Sequence, residues 1–259
     1  MMKRKTLTFI ALSVLVAATS TLSAKTKVIA HRGYWKTDGS AQNSLTSLRK
    51  ANAIKTYGSE LDVWLSTDGV PVVTHDRTIT PNKLVIEYTP YAVLKGIKLS
   101  NGETVPSLQE YLTVAKQCQD TKLIIELKSH STPEKETRLA EKVVEMVKIN
   151  GLENKAEYIA FSLHMTKELI RLAPKADVFY LNGDLSPQEL KAIGCAGLDY
   201  HLGVMQKNEN WFKEAHELGL KVNIWTVNTR EDMQYCIDKG ADFITTDQPE
   251  LLQEVLKDN

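Results

Sequence analysis

Ser59-Glu60-Leu61-Asp62-Val63-Trp64-Leu65 alternates polar with apolar residues and then runs apolar to its end. Side chains on a strand point to alternate faces, so Glu60 and Asp62 share one face, and Leu61 and Val63 the other. A buried strand has no use for two same-face carboxylates unless something cationic meets them, because an unpaired buried charge is very costly. The pattern returns in Leu123-Ile124-Ile125-Glu126-Leu127-Lys128, with Glu126 and Lys128 on one face. A first apolar run, Val28-Ile29-Ala30, delivers His31-Arg32 at its end, and His75 lies just beyond the second. Three carboxylates, two histidines, an arginine and a lysine at strand ends describe a site for a hard metal ion and a phosphate.

Outward from these clusters the chain alternates short apolar runs with longer amphipathic stretches. Strands are expected at 27–30, 59–65, 71–75, 123–128, 158–163, 178–182, 197–202, 221–227 and 243–246. Helices are expected at 43–56, 107–118, 134–149, 166–172, 187–193, 209–218, 230–238 and 249–257, with Gly58, Gly151, Gly194, Gly219 and Gly240 near their ends as left-handed caps. Repeated strand–helix alternation implies a parallel sheet covered by helices. Open doubly wound sheets carry a Gly-rich phosphate loop after the first strand; here that position reads His31-Arg32-Gly33. His31, Asp62, His75, Glu126, Trp225 and Asp247 all fall at or past the C-terminal ends of expected strands, the face on which barrel enzymes build their sites. The fold expected is an α/β, (β/α)8 TIM barrel.

The N-terminus begins Lys3-Arg4-Lys5, continues through an apolar stretch from Leu7 to about Ala18, and reaches small residues ending at Ala24. That order describes a signal peptide over 1–24 and a secreted or periplasmic barrel domain over 25–259. The apolar core is shorter than the about 20 residues of a membrane span. Cleavage would leave 29 basic against 32 acidic residues, a net charge of −3. Such mild acidity argues against nucleic acid or an anionic membrane surface as the main partner. Cys118, Cys195 and Cys236 are odd in number and widely spaced, with no metal-ligand pattern, and are read as buried thiols.

The ordered motifs resemble the glycerophosphodiester phosphodiesterase family. The resemblance begins at Ile29-Ala30-His31-Arg32-Gly33, continues through Glu60-Leu61-Asp62-Val63, Thr67 to Val73 and His75-Asp76, and resumes at Asn101 to Leu108 and Ile125-Glu126-Leu127-Lys128. It closes with Val222 to Asn228 and Gly240 to Pro249. Each piece is weak alone; the set, in order, is specific. It implies a metal-dependent barrel that hydrolyses a small-molecule glycerophosphodiester to glycerol 3-phosphate and an alcohol, with a short variable insertion after the second strand, 76–105. Glu60, Asp62 and Glu126 would hold one divalent cation, and all-oxygen ligation suits Mg²⁺ or Ca²⁺. Arg32 and Lys128 would clamp phosphoryl oxygens. His31 and His75 would divide the acid and base roles, the assignment between them being open. Where the family usually has Glu-Asn-Thr, this chain reads Gln42-Asn43-Ser44, which keeps the shape of the first residue and loses its charge.

Taken singly, each cluster also has a plainer reading: Glu60 and Asp62 as strand-end salt bridges, Glu126 and Lys128 as one ion pair, His31 as a core histidine. Trp225 is assigned to the pocket wall, with barrel packing as the alternative. His201 is read as core or surface, and His130, His164 and His216 as solvated or structural. Tyr34-Trp35 fits either a sugar platform or a capped loop, and Glu134-Lys135-Glu136 a solvated helix start. Rival functions are a phospholipase of intact lipids, a phosphodiesterase for a glycan polymer, and a barrel that binds phosphodiesters without turnover. The short insertion disfavours the first, and no stable membrane association is expected after signal cleavage.

Overall fold

The computed structural model describes residues 25–79 and 83–259; the expected signal segment lies outside them. Eight strands form the barrel: β1 Lys27–Ala30, β2 Gly58–Leu65, β3 Lys122–Leu127, β4 Ala156–Ala160, β5 Val178–Tyr180, β6 Gly197–His201, β7 Lys221–Trp225 and β8 Phe243–Thr246. Each pairs in parallel with its neighbours, and the ring closes where Ile29 and Ala30 of β1 meet Gly58 and Ser59 of β2. A helix follows every strand: α1 Leu45–Ala53, α2 Leu108–Ala115, α3 Pro133–Ile149, α4 Leu163–Leu172, α5 Pro187–Ile193, α6 Asn210–Glu217, α7 Arg230–Asp238 and α8 Pro249–Asp258.

Helix starts are written into the sequence. Ser44, Ser107, Thr132, Ser162, Ser186 and Thr229 each accept a backbone N–H three residues on, and Glu110 and Glu189 reach back to complete capping boxes. Gly151, Gly194, Gly219 and Gly240 take the left-handed conformation as expected. Gly58 does not: it opens β2, where a Cβ would stand 2.7 Å from the Ile124 side chain, so it is a packing glycine rather than a cap.

The segment expected as a strand at 71–75 is shorter, Pro71–Val73, and lies antiparallel on β2, with Val63 opposite Val73 and Leu65 opposite Pro71. The Asp68-Gly69 turn joining them is too short for a crossover, so the return is a hairpin. The insertion then forms two two-residue strands, Thr78–Ile79 and Leu84–Val85, a 3-10 turn and a helical turn at Tyr91–Leu94. Its Ile79, Ile86, Leu94 and Val105 bury against Trp64 and Val72. A further short helix, Leu202–Lys207, follows β6, and His201 caps it by accepting from Gly203 N.

Alternation places one face of every strand against the helices, in two apolar clusters, and the other inside the barrel. The lower interior is solid: Ile29, Ile124, Ile159, Phe179 and Phe243 are packed together and buried. Beneath them Lys122 pairs with Glu157 at 2.6 Å, Tyr57 donates to Glu157, Lys27 lies over the Tyr57 ring, and Lys221 pairs with Asp177. Above them the inward residues turn polar: Glu60, Asp62, Glu126, Asp199, Asn223 and Thr245, all buried. The three cysteines are buried and free.

Candidate active site

The β1–α1 loop is bent by left-handed residues at Arg32 (φ 55°), Gly33 (φ 74°) and Asn43 (φ 58°). Gly33 is required there, since a Cβ would stand 2.6 Å from Ser47 Cβ and 2.8 Å from the Ser47 carbonyl carbon. The bend turns Arg32 N toward the barrel, where it donates to Glu60 Oε2 at 2.6 Å. Asn43 grips Asp62 twice: its Nδ2 donates to Asp62 Oδ2 at 2.7 Å, and its Oδ1 accepts from Asp62 N at 3.1 Å. Both β2 carboxylates are thus aimed by the loop after β1.

Glu60, Asp62 and Glu126 each place a carboxylate oxygen within 4.8 Å of the others, and all three are buried. Among the described residues this is the one acidic, histidine or cysteine group with metal-ligand spacing. Lys128 Nζ sits 2.6 Å from Asp62 Oδ1 and 2.6 Å from Glu126 Oε1. Even so, Glu60 Oε1, Asp62 Oδ1 and Glu126 Oε1 have no aligned hydrogen-bond donor. One ammonium cannot balance three buried carboxylates, and their proton affinities are driven apart. Burial, then the charges of Asp62 and Glu126, push the Glu60 carboxyl well above the carboxylate range. Burial likewise raises Glu126 to about 7 against the pull of Lys128. Burial also works against Asp62, yet Lys128 holds it down. Burial opposes charge on Lys128, and Asp62 and Glu126 overcome it, raising its pKa. A hard, oxygen-seeking cation fits this donor set.

His31 Nδ1 meets Asp247 Oδ1 at 2.8 Å, and His75 Nδ1 meets Asp76 Oδ1 at 2.8 Å. With Nδ1–H donated to a carboxylate, Nε2 is the ring atom left for chemistry in both. Burial, the largest influence, lowers His75, while Asp62 opposes it. Burial is the largest influence on Asp247 and raises it, but the bond and charge of His31, with Trp35 and Lys36, together outweigh it, so its carboxyl lies well below the usual range. Asn228 Nδ2 and Trp35 Nε1 also donate to Asp247, fixing the group that orients His31. Trp64 Nε1 donates to the His75 carbonyl, so the insertion's apolar anchor also positions the second histidine.

His31, Arg32, Glu60, His75, Glu126 and Lys128 line one half of a cavity of about 190 Å³ at the C-terminal mouth of the barrel. Ile159, Phe161, Leu181 and Trp225 add apolar lining, and Asp199, Thr226 and Thr245 complete it. Of the residues chosen from sequence, Asp62 alone does not line the cavity; it joins the cluster through Glu60, Glu126 and Lys128. His201 does not line the cavity, but its ring meets the edge of Trp225. Tyr34 donates to Glu250 and Trp35 to Asp247, and neither lines the cavity, so this pair is a tethered loop. His130 is structural: it accepts from Leu65 N and pairs with Lys128 O, joining the ends of β2 and β3. Glu136 departs from the solvated reading, being buried and bonded to His130 N and Ser162 Oγ.

Sequence reasoning left three residues without a role: Asn43 and Asp247, which aim other groups, and Asp199. The first two act through partners that no local pattern pairs with them. Asp199 carries the inward-carboxylate signal that marked Glu60 and Asp62, but with no companion motif. The departure at Gln42 is resolved by contact: its Oε1 accepts from Arg32 NH1 at 2.8 Å, so a neutral amide holds this guanidinium without cancelling its charge.

Fold and mouth chemistry together define a (β/α)8-barrel hydrolase of the kind that works on phosphate esters. The glycerophosphoryl diester phosphodiesterase family model matches residues 31–251, and the chain belongs to that family. A glycerophosphodiester phosphodiesterase of Caldanaerobacter subterraneus subsp. tengcongensis is 29% identical over 245 residues, 90% of this chain and 98% of the relative. The crystal structure of a glycerophosphodiester phosphodiesterase from Parabacteroides distasonis is 50% identical, covers 91% of this chain and 98% of its own, and superposes with a TM-score of 0.89. An Oleispira antarctica phosphodiesterase, solved in complex with the product sn-glycerol-3-phosphate, is 27% identical over 89% of this chain and 96% of its own, with a TM-score of 0.77.

Proposed function

We propose that this protein is an exported, metal-dependent glycerophosphodiester phosphodiesterase that releases glycerol 3-phosphate and an alcohol by histidine acid–base catalysis. The observation that carries the reading is the meeting, around one cavity, of two cations, two carboxylate-linked imidazoles and a buried carboxylate triad of which Glu60 and Glu126 line the cavity. Family membership and the product-bound Oleispira relative support the substrate class. The basic-then-apolar start of the chain supports export.

Glu60, Asp62 and Glu126 are the residues that hold the cation, Mg²⁺ or Ca²⁺ by their all-oxygen donor set. When bound, such an ion draws charge from a phosphoryl oxygen and stabilises the transition state. Arg32 presents its guanidinium fork to the phosphate, held from behind by Gln42 and, through Nε, by an ion pair with Asp62 at 3.8 Å. Lys128 supplies a point charge beside it. His31, aligned by Asp247, and His75, aligned by Asp76, present Nε2 atoms: one takes the proton of the attacking water, or of the substrate's own neighbouring hydroxyl with water then opening the cyclic phosphate, and the other gives a proton to the leaving alkoxide.

The test is glycerol 3-phosphate release from glycerophosphocholine and glycerophosphoethanolamine by chelator-stripped protein, with and without added Mg²⁺ or Ca²⁺. Cation-restored release is expected, with His31→Ala and His75→Ala each slower by about 10²–10⁴-fold at unchanged cation affinity. Glu60→Gln and Asp62→Asn should instead weaken cation affinity and recover in excess ion. Full activity in both histidine variants would remove the acid–base assignment.

A further inference from the structure

Among the residues that line the cavity, Asp199 is the carboxyl that the mechanism leaves unused. Asp199 projects inward from β6, is 1% exposed, and its Oδ1 has no hydrogen-bond partner. Its register neighbour Asn223 bonds Thr245, at 3.0 Å, and Trp225 Nε1 bonds the Asp199 backbone carbonyl, pinning the strand at that point. A buried polar atom left unpaired costs about 1–3 kcal/mol, and a charged one more. A merely structural carboxyl would be expected to satisfy both its oxygens. A few hydrogen-bonding groups, here Asp199 with Thr226 and Thr245, set among Ile159, Phe161, Leu181 and Trp225 are instead the pattern by which small-molecule sites orient a ligand.

We infer that Asp199 forms a hydroxyl-reading subsite, which selects phosphodiesters whose retained portion is a small polyol with a free hydroxyl. The phosphate is held by Arg32 and Lys128; the carbon chain attached to it then lies along Ile159, Phe161, Leu181 and Trp225, with Asp199 lining the same cavity. A hydroxyl suits this position better than an ammonium. Burial, the largest influence, raises the carboxyl to about 8 against a hydrogen bond from Asn223, so it is protonated at neutral pH. In that state it donates to and accepts from a neutral hydroxyl, whereas a cationic headgroup needs the ionised form.

This inference rests on the phosphodiesterase reading, but its test is binding rather than turnover, so the two fail separately. Calorimetric Kd values for sn-glycerol 3-phosphate and for inorganic phosphate are measured on Ca²⁺-loaded wild type, Asp199→Leu and Asp199→Asn, with melting curves confirming that each is folded. Wild type should bind glycerol 3-phosphate more tightly than phosphate. Asp199→Leu should reduce that preference by about 5–150-fold, the worth of one hydrogen bond to a buried polar group, and Asp199→Asn should keep it within about threefold. An unchanged preference in Asp199→Leu overturns the subsite. Equal loss of the preference in the Leu and Asn variants also overturns it, in favour of a role that needs the ionised carboxylate.

Discussion

Asp199 shows at the residue scale how a side chain useful for binding weighs on the fold. An aspartate in an unfolded chain ionises near pH 3.9. In the barrel, burial outweighs a hydrogen bond from Asn223 and raises the Asp199 carboxyl to about 8. Between those limits the native state holds a proton that the unfolded state has lost, so this group lowers stability as pH rises and its full cost is reached above about pH 8. Asp199→Asn removes the titration. Melting temperatures measured in chelator at pH 5 and pH 8 should therefore show the variant gaining on wild type, with the larger gain at pH 8; an equal difference at both values would mean an ordinary aspartate. The residue was legible in part: Leu198-Asp199-Tyr200 alternates like Leu61-Asp62-Val63, yet no partner stood nearby in the chain. Asp247 was beyond local reading, because it is 216 positions from the His31 it orients.

Among the elements, the loop between β1 and α1 governs the site more than any strand does. It aims Glu60 through Arg32 N and Asp62 through Asn43, and its bend depends on Gly33. Gly33→Ala should cost about 1–3 kcal/mol through overpacking against Ser47. It should also weaken cation affinity about 10–100-fold, the usual penalty for disturbing groups that hold metal ligands. Denaturant unfolding and Ca²⁺ titration check the two parts, and loss of stability without loss of affinity would show that the loop is only a connector. Helices were readable because caps and boxes are local; α5 and α7 match their expected bounds of 187–193 and 230–238. Strand ends were not, since inward and outward residues continue past the last ladder pair: 221–227 ends at Trp225 and 178–182 at Tyr180. Pro71–Val73 read as one more strand, but its direction depends on a turn rather than on periodicity.

For the whole molecule, strand–helix alternation sufficed to anticipate a closed barrel, and the position of charged residues at strand ends showed which mouth carries chemistry. Closure itself is a tertiary event, made by two register pairs between β1 and β2, and no single segment encodes it. The other mouth has its own consequence. Apolar side chains fill the lower barrel and a lattice of Lys122, Glu157, Tyr57 and Lys27 lies beneath them, so the molecule is a cul-de-sac. Whatever enters must back out through the doorway it used, and of two fragments made inside, the deeper one waits for the shallower. If the glycerol end rests against Asp199, the alcohol departs first and the phosphate ester last. Steady-state product inhibition should then be competitive for glycerol 3-phosphate and noncompetitive for the alcohol, whereas competition by both would mean random departure. A blind alley in architecture thus becomes a queue in time.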